Sequence, residues 1–241
     1  MSQPTLRGQR IVVIGGSSGI GLAVAEGALA EGARVVVASS RPETVETAVK
    51  HLGEGAAGAV VDCRDEASIA TFFETTGAFD HLAYTAGDWG RAMGGQSVAK
   101  MDVASAKDGM AVRFWGALMA IKHAQGRISP TGSITLTDGV LAHRPMRGVP
   151  LSTAFGGAVE HLARGLAVDL APLRVNAVCP GLVMSGATKG MPEAMVKGFT
   201  ARCLIPRAGE PAEVAQAYLY LMRGAYTTGQ VLIVDGGLML T

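Results

Sequence analysis

Short runs of β-branched residues alternate with longer Ala- and Leu-rich stretches from one end of the chain to the other, and that alternation leaves few folds open. The runs are Arg10–Ile14, Arg34–Ala38, Ala59–Val61, His81–Tyr84, Ser133–Thr137, Arg174–Val178 and Val231–Val234. They are almost wholly apolar rather than alternating, so each predicts a strand buried on both faces. The stretches between them carry a helical period. Met110, Phe114, Ala117, Leu118 and Ile121 fall at i, i+4, i+7, i+8 and i+11, and Val159, Leu162, Ala163, Leu166 and Leu170 form a second stripe. Strands alternating with helices of this length predict right-handed crossovers and a parallel sheet covered on both sides. No repeat and no Pro/Ser-rich linker divides the chain. The expectation is one doubly wound α/β domain over residues 1–241, with about seven strands.

Composition sharpens this. Glycine supplies 33 of 241 residues, roughly twice the usual share of ~7%. Glycine and proline together stay below the ~25–30% that marks low complexity, so the glycines belong to turns and close backbone approaches in a packed fold. Gly15-Gly16-Ser17-Ser18-Gly19-Ile20-Gly21 follows the first predicted strand and opens an Ala-rich helix. In that place glycines permit a tight turn, backbone approach to a pyrophosphate and close helix–strand packing. The helix N-terminus then presents free N–H groups to phosphate. The second strand ends in Ala38-Ser39-Ser40-Arg41, with no carboxylate before Glu43. An acid there would accept from the ribose hydroxyls of NAD. Arg41 with two serine hydroxyls suits the 2′-phosphate of NADP(H) instead.

Other classes are disfavoured. Lys plus Arg number 21 against 20 acids, and no basic patch argues for nucleic acid. Cys63, Cys179 and Cys203 have no metal-ligand spacing, so no metal is expected and the cysteines read as small hydrophobes of a reducing cytoplasm. The first ten residues lack an apolar signal core, and no run approaches the ~20 apolar residues of a membrane helix. A cytoplasmic location and a small-molecule partner are expected. Loops at Gly87–Gly95, Val140–Pro150 and Leu182–Leu204 leave the C-terminal ends of strands, where open α/β sheets bind ligands. Trp89 and Met93 are candidates to line an apolar pocket there.

Further motifs stand in order along nearly the whole chain. They are Asp62 after the third strand, Tyr84-Thr85-Ala86-Gly87, Arg174-Val175-Asn176-Ala177 with Pro180-Gly181, Arg207…Gly209-Glu210-Pro211, Thr228-Gly229-Gln230 and Val234-Asp235-Gly236-Gly237. With the glycine loop they make the chain resemble the short-chain dehydrogenase/reductase family, from about Gly8 to Gly237. The resemblance implies a Rossmann-like fold and oxidoreductase chemistry on a small carbonyl or alcohol substrate. It also implies a nicotinamide cofactor held by Gly15, Ser17, Ser18, Gly19, Ile20, Gly21, Ser39, Ser40, Arg41, Asp62, Cys63, Thr85, Ala86, Gly87, Pro180, Gly181 and Val183. Similar family members pair through helices equivalent to the two apolar stripes, which implies a homodimer or homotetramer.

The resemblance breaks at the chemistry. The family uses an Asn, a Ser and a Tyr-x-x-x-Lys pair, whose Tyr and Lys share one helix face. Counting back from Leu166–Leu170 puts Ser152 at the Tyr position, Gly156 at the Lys, Gly139 at the Ser and Arg113 at the Asn. No Tyr occurs between Tyr84 and Tyr218, so sliding the alignment restores nothing. Candidate substitutes are Asp138, Arg113, Ser152, His143 and Tyr84. Arg113 can polarise a carbonyl or clamp a carboxylate. Asp138 can act as an acid if burial raises its pKa from ~3.9. His143 has an ordinary pKa near ~6.5, and Ser152 can donate a hydrogen bond. Each also has a plain structural reading: a strand-end turn, an ion pair, a solvated loop, a helix cap, a packed aromatic. Two functions stay open, an oxidoreductase with non-standard catalytic residues and a non-catalytic NADP(H)-binding sensor or interaction protein. A purely structural subunit fits the retained glycine loop less well.

Overall fold

The computed structural model describes residues 5–87, 98–186, 188 and 190–241. Trp89 and Met93 lie outside the described residues. Seven parallel strands form one sheet: β1 (Arg10–Ile14), β2 (Arg34–Ser39), β3 (Ala56–Val60), β4 (Phe79–Tyr84), β5 (Ile128–Thr137), β6 (Arg174–Pro180) and β7 (Val231–Val234). Their spatial order is β3-β2-β1-β4-β5-β6-β7. The chain therefore leaves β1 toward one edge and returns through β4 toward the other, a topological switch whose crevice opens at the C-terminal ends of β1 and β4.

The all-apolar runs explain the layering. Successive side chains of β1 and β2 point to opposite faces, and both faces are filled. Val12, Ile14, Val36 and Ala38 pack with α3 (Glu66–Thr76), α5 (Ala117–Ala124) and α6 (Pro150–Asp169). Ile11, Val13, Val35 and Val37 pack with α1 (Gly19–Ala30), α2 (Pro42–Leu52) and α8 (Pro211–Arg223). Two shorter helices, α4 (Val103–Asp108) and α7 (Glu193–Thr200), complete the described α-helices.

Family motifs of the C-terminal half turn out to be internal ties. The Arg174 guanidinium donates to the carbonyls of Leu221 and Met222, and Asn176 binds the Thr227 carbonyl and accepts from the Gln230 N–H. Together they lock β6 to the end of α8 and the start of β7. Arg207 makes a two-pronged contact with Glu213, at 2.8 and 2.6 Å, beside the capping box of α8.

One expectation is corrected. The stripe from Met110 to Ile121 does not lie on a single helix face. Residues Ala111–Gly116 form a π-helical turn before α5 begins at Ala117, with the Trp115 N–H reaching back to the Met110 carbonyl at 3.1 Å. The wider turn rotates the register, so Arg113 and Gly116 face inward while Met110 and Phe114 are only partly covered. Gly116 permits a close approach at this turn: a Cβ there would sit 2.6 Å from both the Cys63 carbonyl oxygen and the Tyr84 hydroxyl. Only a bare backbone can press this close to the end of β4.

Candidate active site

One cavity of about 760 Å³ opens along the C-terminal edge of the sheet. All seventeen residues singled out above for the cofactor line it, from Gly15 through Arg41 and Asp62 to Val183. Arg113, Asp138, Gly139 and Ser152 close its far end. His143 and Tyr84 do not line it.

At the near end the helix α1 begins without a side-chain cap on its exposed N–H groups and with no acid in its first turn. An uncapped helix start with a positive dipole end is an anion site, so the residues present fit a dinucleotide phosphate. Gly15, at φ +88°, turns the chain where a Cβ would meet the Ala86 nitrogen at 2.5 Å. Gly21 seats the first helical turn against that loop, since its Cβ would fall 2.3 Å from the Gly15 carbonyl oxygen. Gly21→Ala is accordingly expected to cost about 1–3 kcal/mol through overpacking and to weaken nucleotide binding. Thermal unfolding and NADPH fluorescence titration read both effects.

At the far end the positions read against the family pattern are closely packed. Ser152, Gly156 and Glu160 follow one another at four-residue spacing on α6, and all three are buried. A Cβ on Gly156 would lie 2.8 Å from the Cβ of Ala142. The short turn Val140–Ala142 after β5 thus fills the place where a lysine stem would run. Tyr84 is buried and its hydroxyl donates to the Val112 carbonyl at 2.6 Å. It serves the π turn and not the cavity.

Behind this wall stand four chemically active groups. Asp138, Glu160, His143 and Cys179 each place one donor atom within 4.8 Å of the others. Asp138 bounds the cavity floor, but both its carboxylate oxygens are closed to water, on the cavity side as well as from bulk. Among the described residues, no donor of good geometry serves either of its oxygens. Glu160 faces it, and two carboxylates cannot hydrogen-bond without a proton between them. Burial, then the neighbouring Glu160, holds the Asp138 pKa well above the ordinary carboxylate range. Burial also acts to raise Glu160, but hydrogen bonds from Asp138 and His143 and the charges of His143 and Arg164 outweigh it and leave its pKa lowered. The two shifts run in opposite directions, Asp138 up and Glu160 down, and so favour a proton on Asp138. Burial pushes the Cys179 thiol up, beyond titration at ordinary pH.

His143 Nε2 meets Glu160 Oε1 at 2.5 Å. A tetrahedral ion with ~2.0 Å bonds would hold two such donors roughly 3.3 Å apart. The contact is a direct hydrogen bond.

Glu160 was not among the residues expected from the sequence, although a carboxylate amid Val159, Ala163 and Leu166 on a buried stripe is a usable sign. Met191, Met195 and Phe199 were missed as well. They line the cavity mouth from α7 and the residues before it, and their four-residue spacing inside the loop expected over 182–204 is the signal of a helix.

A family model described as enoyl-(acyl carrier protein) reductase matches residues 14–239. The short-chain dehydrogenase/reductase ATR9 of Stachybotrys chlorohalonatus is 36% identical over 260 residues, covering 98% of this chain and 99% of its own. The chain belongs to the short-chain dehydrogenase/reductase family. The solved MalC reductase/Diels-Alderase from Malbranchea aurantiaca superposes with a TM-score of 0.90 at 31% identity, covering 98% of this chain and 97% of that one. A small-chain dehydrogenase solved in complex with NADPH gives 0.79 at 34% identity, covering 97% and 100%. Membership supports oxidoreductase chemistry and a nicotinamide cofactor. No helix among the described residues is long and apolar enough to cross a membrane.

Proposed function

We propose that this chain is an NADP(H)-dependent oxidoreductase interconverting a small carbonyl compound and its alcohol, with Asp138 and Arg113 in place of the family's usual residues. The observation that carries the reading is the single cavity running from the uncapped start of α1 to a buried Arg113, Asp138 and Ser152. When bound, the nicotinamide supplies the hydride. Arg113, always protonated, polarises the carbonyl oxygen, and Ser152 offers a hydroxyl to orient it. Asp138, whose pKa burial and Glu160 raise, is assigned the proton, which reaches the substrate once binding uncovers the carboxyl at the cavity floor, and the carboxylate left behind is the general base of the reverse reaction. His143 acts from behind the wall and not on the substrate. Leu141, Met191, Met195 and Phe199 at the mouth favour an apolar substrate.

Arg41 is exposed at the end of β2 and lines the adenosine side of the cavity with Ser39 and Ser40. A charge-assisted hydrogen bond is worth ~1.5–3 kcal/mol, so Arg41→Ala is expected to weaken NADPH binding roughly 10- to 150-fold and to leave NADH binding unchanged. Parallel titrations of both cofactors check this, and equal affinities in wild type and variant would contradict it.

Single-turnover oxidation of NADPH with a panel of ketones, aldehydes and quinones tests the activity. Turnover abolished in Arg113→Ala supports the reading. Tight NADPH binding without oxidation across the panel overturns it and leaves a non-catalytic sensor. The reading includes a homodimer or homotetramer, supported by Trp115 and Val168, exposed at 53% and 82% on the segments expected to pair. Light scattering that finds only monomer at micromolar concentration would contradict that part.

A further inference from the structure

We propose that Glu160 and His143 form a proton route that connects the buried Asp138 to bulk water behind the sheet, so that Asp138 is recharged from the back of the site and not through the substrate cavity. This deepens the functional reading above and rests on its assignment of Asp138 as the acid.

Geometry supplies both ends of the route. Asp138 has no exposure to bulk water. Both of its carboxylate oxygens are closed to water on the cavity side as well. Glu160, at 3% side-chain exposure, lies between it and His143. The His143 side chain is 31% exposed and makes the 2.5 Å contact with Glu160 Oε1. Reduction consumes one hydride from the nicotinamide and one proton from the Asp138 hydroxyl, giving alcohol and the Asp138 carboxylate. Glu160 then passes on a proton taken from the His143 imidazolium, and His143 regains one from solvent. The net change is one carbonyl, one NADPH and one proton converted to one alcohol and one NADP⁺.

The other groups facing this path do not compete. Cys179 on β6 is a neutral thiol, its pKa raised by burial and by Asp138. Tyr218 on α8 is fully buried, and burial holds its phenol neutral. Its hydroxyl contacts the Thr137 hydroxyl at 2.5 Å. Asp235 lies beyond Cys179. Arg164, one turn further along α6, stands 3.8 Å from the other oxygen of Glu160 and supports its charge.

The test uses cofactor-free protein and infrared spectroscopy. Wild type at pH 7 is expected to show the C=O stretch of a protonated carboxyl group that disappears in Asp138→Asn. After rapid mixing into D2O, this band is expected to shift at least about tenfold more slowly in His143→Gln than in wild type, with added imidazole restoring the rate. In Glu160→Gln, loss of the neighbouring charge is expected to lower the pH at which the band titrates by about one unit or more. Thermal unfolding of each variant establishes that it is folded. An absent band in wild type, or exchange in His143→Gln as fast as in wild type, would overturn the route. So would a stoichiometric metal ion retained by the purified protein and bound to these groups. Failure of the Asp138 assignment looks different: Asp138→Asn would then keep full carbonyl reduction whatever the exchange rates show.

Discussion

Asp138→Asn is expected to lower kcat for carbonyl reduction by about 10²- to 10⁴-fold, the usual contribution of a positioned general acid, while leaving the Kd for NADPH unchanged. Asparagine keeps the size of the side chain and removes only the transferable proton. Steady-state kinetics with NADPH fluorescence titration check the two halves of the statement, and an unchanged kcat would move the acid to Ser152 or to water. The same substitution is expected to stabilise the fold at alkaline pH. The folded-state pKa of Asp138 is raised above its unfolded value of ~3.9 by burial and by Glu160. The native state therefore binds this proton more tightly, and stability falls as pH rises from the unfolded value toward the folded one. A neutral amide has no such dependence. Unfolding curves from pH 5 to pH 9 should show wild type losing Tm relative to Asp138→Asn, by roughly 2–4 °C for each kcal/mol in a chain of this length. Carbonyl reduction by wild type should fall over the upper part of the same range, as Asp138 loses the proton it donates.

Gly156→Lys, the change that would regenerate half of the family's Tyr-x-x-x-Lys pair, is expected to destabilise the protein and not to activate it. The new Cβ would lie 2.8 Å from Ala142 Cβ, and the remaining stem would have to pass through the Val140–Ala142 turn. Overpacking of this kind costs about 1–3 kcal/mol, or roughly 2–4 °C of Tm per kcal/mol. The double variant Ser152→Tyr/Gly156→Lys should likewise show no gain in kcat over wild type. The physical cause can be isolated with Gly156→Ala and Ala142→Gly. The first is expected to be destabilising alone and milder in combination, because contacting residues couple by 0.5–3 kcal/mol. Additive effects would show that Ala142 is not the obstacle.

How much of this was legible beforehand differs from residue to residue. β1 and β7 match the apolar runs at Arg10–Ile14 and Val231–Val234. β5 begins five residues before its apolar run, at Ile128, because Ser129, Pro130, Thr131 and Gly132 carry no strand pattern. The cofactor end was readable because a tight turn at a strand end admits so few residue types that the glycines announce it locally. The chemical end was not. Arg113 could be named by its place in the family pattern, but a plain helical period puts Met110 and Phe114 inward, and a π turn cannot be seen in an apolar stripe. His143 was singled out for its ordinary pKa, yet what it does depends on Glu160, seventeen positions away.

The order of apolar runs, the glycine loop and the motifs trailing each strand determine by themselves a doubly wound sheet with a nucleotide crevice. They can do so because each rests on interactions within a few residues: strand burial, a helix start, a turn that only glycine can make. Gly139, Gly156, Ser152 and Arg113, read against the family pattern, imply that the family's usual acid is missing. Only the tertiary structure decides what took its place. Asp138 just past β5 and His143 after the short turn that follows it are brought by the fold to Glu160 on α6 and Cys179 on β6, all within 4.8 Å. Whether a carboxyl holds its proton is set by the water excluded around it and the charge beside it, and neither exists until the layers close.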